Sequence, residues 1–517
     1  MATIQPADNN LYSVLARGWS EPARTFITML DGTTISYAQL ESGTARFANA
    51  IRALGVNTGD RVVVQVEKSP SALFVYLACV RAGAVFVPLN TAYTTAELDY
   101  FIGDAEPALV VCDPSRREAI GAIAARIGRC AVETLDANGR GSLFDLAHAA
   151  SGEFATEPRA ADDLAAILYT SGTTGRSKGA MLTHANLASN ALVLARTWAF
   201  TRDDVLIHAL PIFHVHGLFV ATNIILASGA SMIFLPKFDP DEVFRNMPRA
   251  TALMGVPTFY VRLLADKRLS HETTKHIRLF VSGSAPLLAE THRAFSERTG
   301  HAILERYGMT ETGMNTSNPY QGGARVAGAV GLPLSGVTIR ITEPETGTAL
   351  AAEEIGMIEV KGPNVFKGYW RMPDKTKSEF RGDGFFITGD LGKIDGKGYV
   401  HIVGRGKDLV ITGGYNVYPK EIESEIDAIP GVFESAVIGV PHADFGEGVT
   451  AVVVREKGAS VDERTILGAL DGRLAKFKQP KRVLFVDELP RNTMGKVQKN
   501  VLQAAYKDLY RSLPKTG

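Results

Sequence analysis

The chain has 517 residues, more than one ordinary hydrophobic core accommodates, so at least two domains are expected. Lys plus Arg and Asp plus Glu are equal at 55 each, so no global field points to nucleic acid or an anionic membrane, and anionic ligands are left to local geometry. Three cysteines, Cys79, Cys112 and Cys130, lack metal-type spacing and read as free, mostly buried thiols.

The first ten residues carry neither a basic region nor an apolar run, so no secretory signal is visible and a cytoplasmic protein is expected. Leu218 to Leu226 is too short for a membrane span and is interrupted by Thr222 and Asn223. Arg61–Val66 reads as a strand, and Ser69–Gly83 as a helix with Leu73, Tyr76, Leu77 and Val80 at helical spacing. Ala84–Leu89 and Ala108–Cys112 follow as strands. Such alternation predicts an α/β fold with mostly parallel sheets flanked by helices. From about Ile358 the pattern becomes β-rich, and after Arg405–Asp408 a compact α+β unit is expected. Its predicted elements are a helix 419–428, strands 434–440 and 449–455, a helix 461–474 and a strand 482–485.

Asp163–Tyr169 has a buried-strand pattern and Thr183–Trp198 a helical one. Between them lies Thr170-Ser171-Gly172-Thr173-Thr174-Gly175-Arg176-Ser177-Lys178. Glycines let the backbone turn its N–H groups inward, hydroxyls add donors, and the cations complement phosphate charge. It is not a Walker A loop, since no Gly-Lys-Ser/Thr stands at the required spacing. A flexible surface turn is the alternative, but a run this long beside a buried strand favours phosphate.

With this loop, six further motifs occur in order: 211–217 (PIFHVHG), 282–286 (SGSAP), 305–312 (ERYGMTET), 387–390 (ITGD), 404–408 (GRGKD) and 490–496 (PRNTMGK). Together they resemble the adenylate-forming superfamily of acyl-CoA synthetases, peptide-synthetase adenylation domains and luciferases, over nearly the whole chain. The resemblance implies a large N-terminal domain, residues 1–406, with the ATP and acyl pockets, and a small mobile C-terminal domain, 407–517. It implies ATP, Mg²⁺ and coenzyme A as reactants. A carboxylate attacks the α-phosphate of ATP, and a thiol then captures the acyl-adenylate; both first reactants are anions, so cations are needed where charge accumulates.

By the same resemblance Glu311 helps hold Mg²⁺ and Thr310 reaches the α-phosphate. Tyr307 offers a flat face to adenine, with Gly283, Ser284, Ala285, Glu305 and Gly308 lining that pocket. Asp390, expected at the end of a strand, accepts the ribose hydroxyls, and Arg405 holds ribose or phosphate from the domain junction. Lys496 reaches from the small domain to stabilise the adenylation transition state. Lys407 is the pivot about which that domain turns, withdrawing Lys496 and presenting Gly413 and Gly414 to a pantetheine tunnel. A lysine acetyltransferase and deacetylase acting on Lys496 would be natural partners, since its charge is needed for one step.

The acid is narrowed by what is present and missing. Amino-acid-activating relatives place an aspartate near His214, and this chain has none. No carrier domain follows Gly517, which favours coenzyme A as acceptor. Arg262, in 255–262 (GVPTFYVR), can neutralise the distal charge of a dicarboxylate through its guanidinium fork. The segment resembles malonyl-CoA synthetases, which implies malonate and often methylmalonate, with Ser282 and His208 beside Arg262. The competing readings are a fatty-acid or aryl–CoA ligase and an inactive nucleotide-binding regulator. A serine hydrolase is disfavoured, because Ser284 is not in a Gly-x-Ser-x-Gly elbow.

Overall fold

The computed structural model describes residues 9–170, 177–413, 415–442, 444–492 and 495–510. Two large sheets form the body. A nine-stranded sheet runs in the order Leu332–Pro333, Gly313–Ser317, Leu304–Met309, Leu279–Ser282, Ala252–Gly255, Val205–His208, Ser231–Phe234, Thr25–Thr28 and Thr34–Ser36. Its central pairings, from Leu304–Met309 to Thr25–Thr28, are parallel. A seven-stranded sheet holds Arg61–Gln65 between Val85–Pro88 and Leu109–Cys112, all parallel. The helix Pro70–Arg81 forms where its apolar spacing predicts; Ser69 caps it by accepting the Ala72 N–H, and Leu73, Tyr76, Leu77 and Val80 are buried. The expected mostly parallel α/β architecture is present.

The β-rich part begins earlier than the sequence suggests. A four-stranded antiparallel sheet starts at Thr338–Thr342 and continues through Gly356–Lys361, Phe386–Ile394 and Val400–Arg405. Beyond a 3₁₀ turn at Gly406–Asp408, a five-stranded sheet with its own core around Val437, Val449 and Ile466 carries the remaining chain. Its second helix is shorter than predicted, Glu463–Leu470, because Gly472 takes a positive φ just beyond it. Cys79 and Cys112 are buried and Cys130 half-buried, all free. Among the described residues no helix is long and apolar enough to cross a membrane.

One expectation about the phosphate loop is corrected. It does not join a strand to a helix: Leu164–Thr170 and Lys178–Thr183 are antiparallel, with Thr170 opposite Lys178. The second strand is covered on its other edge by Gly368–Tyr369, so its Gly179, Ala180 and Leu182 are buried as sheet. The helix starts only at His184, under a Thr183–Asn186 capping box. Its dipole therefore does not serve the loop. Ser171, Gly172, Thr173, Thr174, Gly175 and Arg176 lie outside the described residues.

Candidate active site

The carboxyl ends of the parallel strands meet the antiparallel sheet and the Lys496 segment in one cleft, the position that open α/β sheets provide for ligands. One side gathers paired charges. Asp390 lies mid-strand in Phe386–Ile394, not at a strand end, and stands directly opposite Arg405 on the neighbouring strand. Its Oδ1 is 3.0 Å from Arg405 Nε, and its Oδ2 accepts the Tyr307 hydroxyl at 2.6 Å. Tyr307 is 9% exposed, in a small core with Ile339, Ile358 and Val400. Each carboxylate oxygen keeps a further lone pair for a hydroxyl.

Glu311 occupies the tight turn between Leu304–Met309 and Gly313–Ser317, buried, with Thr310 half-buried beside it. Its Oε1 accepts the Tyr369 hydroxyl at 3.1 Å. Burial raises its carboxyl above the usual range, opposed by Tyr369, Lys178 and Arg405. Among the described residues it has no ion pair within 4.0 Å, and no cluster of three metal-ligating side chains occurs. A lone buried carboxylate of this kind gains from a divalent cation whose other ligands come from phosphates and water. Lys178 points the same way: its Nζ lies 4.1 Å from the Tyr369 ring centre and 3.8 Å from Glu379.

Lys496 enters from the far side, on a loop whose Gly495 packs against Thr258. The residue keeps access to solvent, yet the cleft around its amine and the charges of Arg405 and Lys407 lower it to about 8, against Asp390 and Glu311. The two ends of the expected clamp, Lys178 and Lys496, both feel the charge of Glu311. Lys407 is exposed in its 3₁₀ turn, and Gly413 sits in an exposed hairpin beside Ile411 and Tyr415. Gly414 is outside the described residues.

The other side is built differently. Arg306 is 4% exposed, and its Nε and Nη2 have no hydrogen-bond partner among the described residues. Its guanidinium covers Gly283, where a Cβ would stand 2.3 Å from Arg306 Cζ. Burial lowers it to about 9, so it remains charged at neutral pH with no carboxylate within 4.0 Å among the described residues. His214 is brought down to about 4 by burial, Arg306 and Lys496, and His216 is held well below its usual range by burial, Arg306 and His214. His216 Nδ1 meets Ser284 Oγ at 3.2 Å, while its Nε2 and Ser282 Oγ are buried without partners among the described residues. Ser284 holds a φ of 72°, a strained backbone at the rim, with Ala285 half-buried next to it.

The other two expected acid contacts, His208 and Arg262, differ in exposure. His208 is 1% exposed and spends both ring nitrogens on the protein: Nδ1 on Lys68 at 2.9 Å, Nε2 on the Gly217 carbonyl at 2.9 Å. Arg262 is exposed on the helix Pro257–Ala265, one turn from Thr258 and hence on the face toward the Lys496 loop. Glu305, on the back of the Arg306 strand, accepts the Gly328 N–H at 3.0 Å; burial raises it to about 8, so it is neutral at pH 7. Arg306 itself was missed by sequence reasoning. The available signal was a cation between Leu304 and Tyr307 in a strand whose first four residues are all buried.

Comparison with known proteins gives matches over nearly the whole chain. The AMP-binding enzyme family matches residues 17–370, and the AMP-binding enzyme C-terminal domain matches residues 421–496. The chain is 69% identical to ATP-bound MatB from Rhodopseudomonas palustris, with a TM-score of 0.96 over 97% of this chain and 100% of that one. It is 38% identical to the mitochondrial malonate–CoA ligase of Mus musculus, covering 90% of this chain and 86% of that protein. A feruloyl-CoA synthase from Amycolatopsis is 37% identical over 92% of this chain and 94% of its own length.

Proposed function

The chain belongs to the AMP-binding enzyme family, and on that premise we propose that it is an ATP-dependent ligase joining malonate to coenzyme A, with AMP and pyrophosphate as the other products. The observation that carries the choice of acid is Arg306. A guanidinium buried without a counter-ion is strongly unfavourable unless a ligand supplies one. The apolar tail of a fatty or aryl acid would leave it unpaired, whereas the distal carboxylate of malonate satisfies it. Ser282 Oγ and His216 Nε2 are further atoms on this side without partners among the described residues, and the exposed Arg262 adds a second cation. The aryl reading, suggested by the feruloyl-CoA synthase likeness, is disfavoured by the same charge.

Malonate's other carboxylate attacks the α-phosphate, pyrophosphate leaves, and the thiol of coenzyme A then displaces AMP from the acyl carbonyl. Lys496 neutralises charge in the first step, with Thr310 and the loop from Thr170 to Lys178. Glu311 would hold Mg²⁺, which screens the phosphate charges when bound. Asp390 and Arg405 take the ribose, and Tyr307 the adenine, beside Gly283 and Gly308. Residues 407–517 form the moving unit with its pivot at Lys407. Lys496, a residue that keeps access to solvent, is the site at which an acetyltransferase would switch off adenylation, and the enzyme works in the cytoplasm.

A pyrophosphate-exchange panel of acetate, malonate, methylmalonate, succinate, benzoate and octanoate tests the substrate. Malonate, followed by methylmalonate, is expected to dominate. Faster exchange with benzoate or octanoate would overturn the choice of acid.

A further inference from the structure

Lys68 follows the strand Arg61–Gln65 of the seven-stranded sheet, yet its amine is buried against the nine-stranded sheet. It lies 2.8 Å from the His208 carbonyl oxygen, 2.9 Å from His208 Nδ1 and 4.4 Å from the centre of the Phe234 ring. No carboxylate pairs with it within 4.0 Å among the described residues. A buried, unpaired lysine is costly, and nothing in the reaction above uses it.

Its partner explains it. His208 Nε2 lies 2.9 Å from the Gly217 carbonyl, which can only accept, and 3.1 Å from the Thr222 hydroxyl, whose own proton goes to that same carbonyl, so Nε2 carries the proton. In a neutral imidazole Nδ1 must then accept, and Lys68 is the donor that faces it. Gly217 is the second residue of a buried π-helical turn, His216–Thr222, a conformation that is rarely used and needs support. The same carbonyl also accepts the Thr222 hydroxyl at 2.9 Å. A Cβ at Gly217 would stand 2.0 Å from the Pro211 carbonyl oxygen, so the segment doubles back tightly at this point. His216, one residue earlier, sends Nδ1 to Ser284 on the Arg306 side of the cleft.

We propose that Lys68 is a positioning residue for the acid pocket: it holds His208 in the Nε2–H tautomer, which secures the Gly217 carbonyl and thereby the placement of His216. The neutral ring could otherwise take either tautomer, and the Nδ1–H form would aim a lone pair at the Gly217 oxygen. The link crosses from one large sheet to the other, so the pocket wall is set by both. The proposal rests on reading this cleft as the acid pocket, but the tautomer itself does not.

The test uses the full chain with Lys68→Met, His208→Gln and the double variant. Glutamine retains an N–H donor toward Gly217 and has no tautomer to set. Lys68→Met is expected to raise KM for malonate about tenfold while KM for ATP stays within about twofold. Adding Lys68→Met to His208→Gln is expected to change malonate KM by less than about twofold. Selective ¹⁵N-histidine NMR should show His208 Nδ1 unprotonated in the parent and a tautomer mixture in Lys68→Met. An unchanged tautomer, or a malonate KM effect equal in both backgrounds, overturns the proposal. Failure of malonate exchange in the parent would instead defeat the ligase reading, with the NMR result still deciding the role of Lys68.

Discussion

The two sides of the cleft handle charge in opposite ways. Toward the side assigned to nucleotide, Asp390 is bonded to Arg405 and Tyr307, and Glu311 to Tyr369. Toward the side assigned to the acid, Arg306 has two nitrogens without partners among the described residues, and His214 and His216 are kept neutral. A paired charge is preorganised for a ligand that arrives with its own metal and donors. An unpaired buried cation is incomplete until an anion enters, and so it reports on the ligand's own charge.

The largest effect should come from breaking that asymmetry. Arg306→Met is expected to lower kcat/KM for malonate by about 30- to several-thousand-fold, the cost of removing a buried charge partner. ATP-dependent parameters should move far less, which steady-state kinetics with ATP varied will check. Lys496→Ala should slow adenylate formation by about 10²- to 10³-fold, as for loss of one preorganised transition-state donor. Thioester formation from supplied malonyl-adenylate should be spared, and equal damage to both half-reactions would remove Lys496 from the first step.

Arg262→Ala should cost about tenfold or less for malonate, since an exposed cation is screened by solvent. A loss as large as that of Arg306→Met would restore Arg262 as the principal acid contact. The pH profile sharpens the nucleotide side. Lys496 must be protonated to act, and its pKa is lowered to about 8, so kcat/KM for ATP should fall as pH rises through about 8. Lys496→Arg should remove that limb.

The smallest effect is expected from Glu305→Gln. Glu305 is raised from 4.5 to about 8 in the folded chain, so between those values the unfolded state releases its proton first and stability falls as pH rises. Glutamine should flatten that slope in thermal melts while leaving malonate KM unchanged. A changed KM would make Glu305 a counter-charge for Arg306 after all.

What the sequence made legible follows the same division. The helix Pro70–Arg81 and the strands around it carry strong local periodicity, and the family resemblance of their motifs led to Lys496, Glu311 and Asp390. The strand Lys178–Thr183 was hidden because its short apolar run reads on into the helix that begins at His184. Arg306 and Lys68 were hidden for a different reason. Each looks like an ordinary surface charge until Gly283 in one case and His208 in the other, both distant in sequence, are brought against it. Arg262 stood out in its helical segment, yet its exposure gives it the weaker claim on a buried carboxylate.

The central claim is that the acid side is completed by a second carboxylate on Arg306. Pyrophosphate exchange with malonate and with propionate, which lacks that carboxylate, in the parent and in Arg306→Met, tests it most directly. The parent should prefer malonate by at least about 30-fold, and Arg306→Met should abolish the preference. Equal use of the two acids by the parent, or an undiminished preference in Arg306→Met, would contradict it.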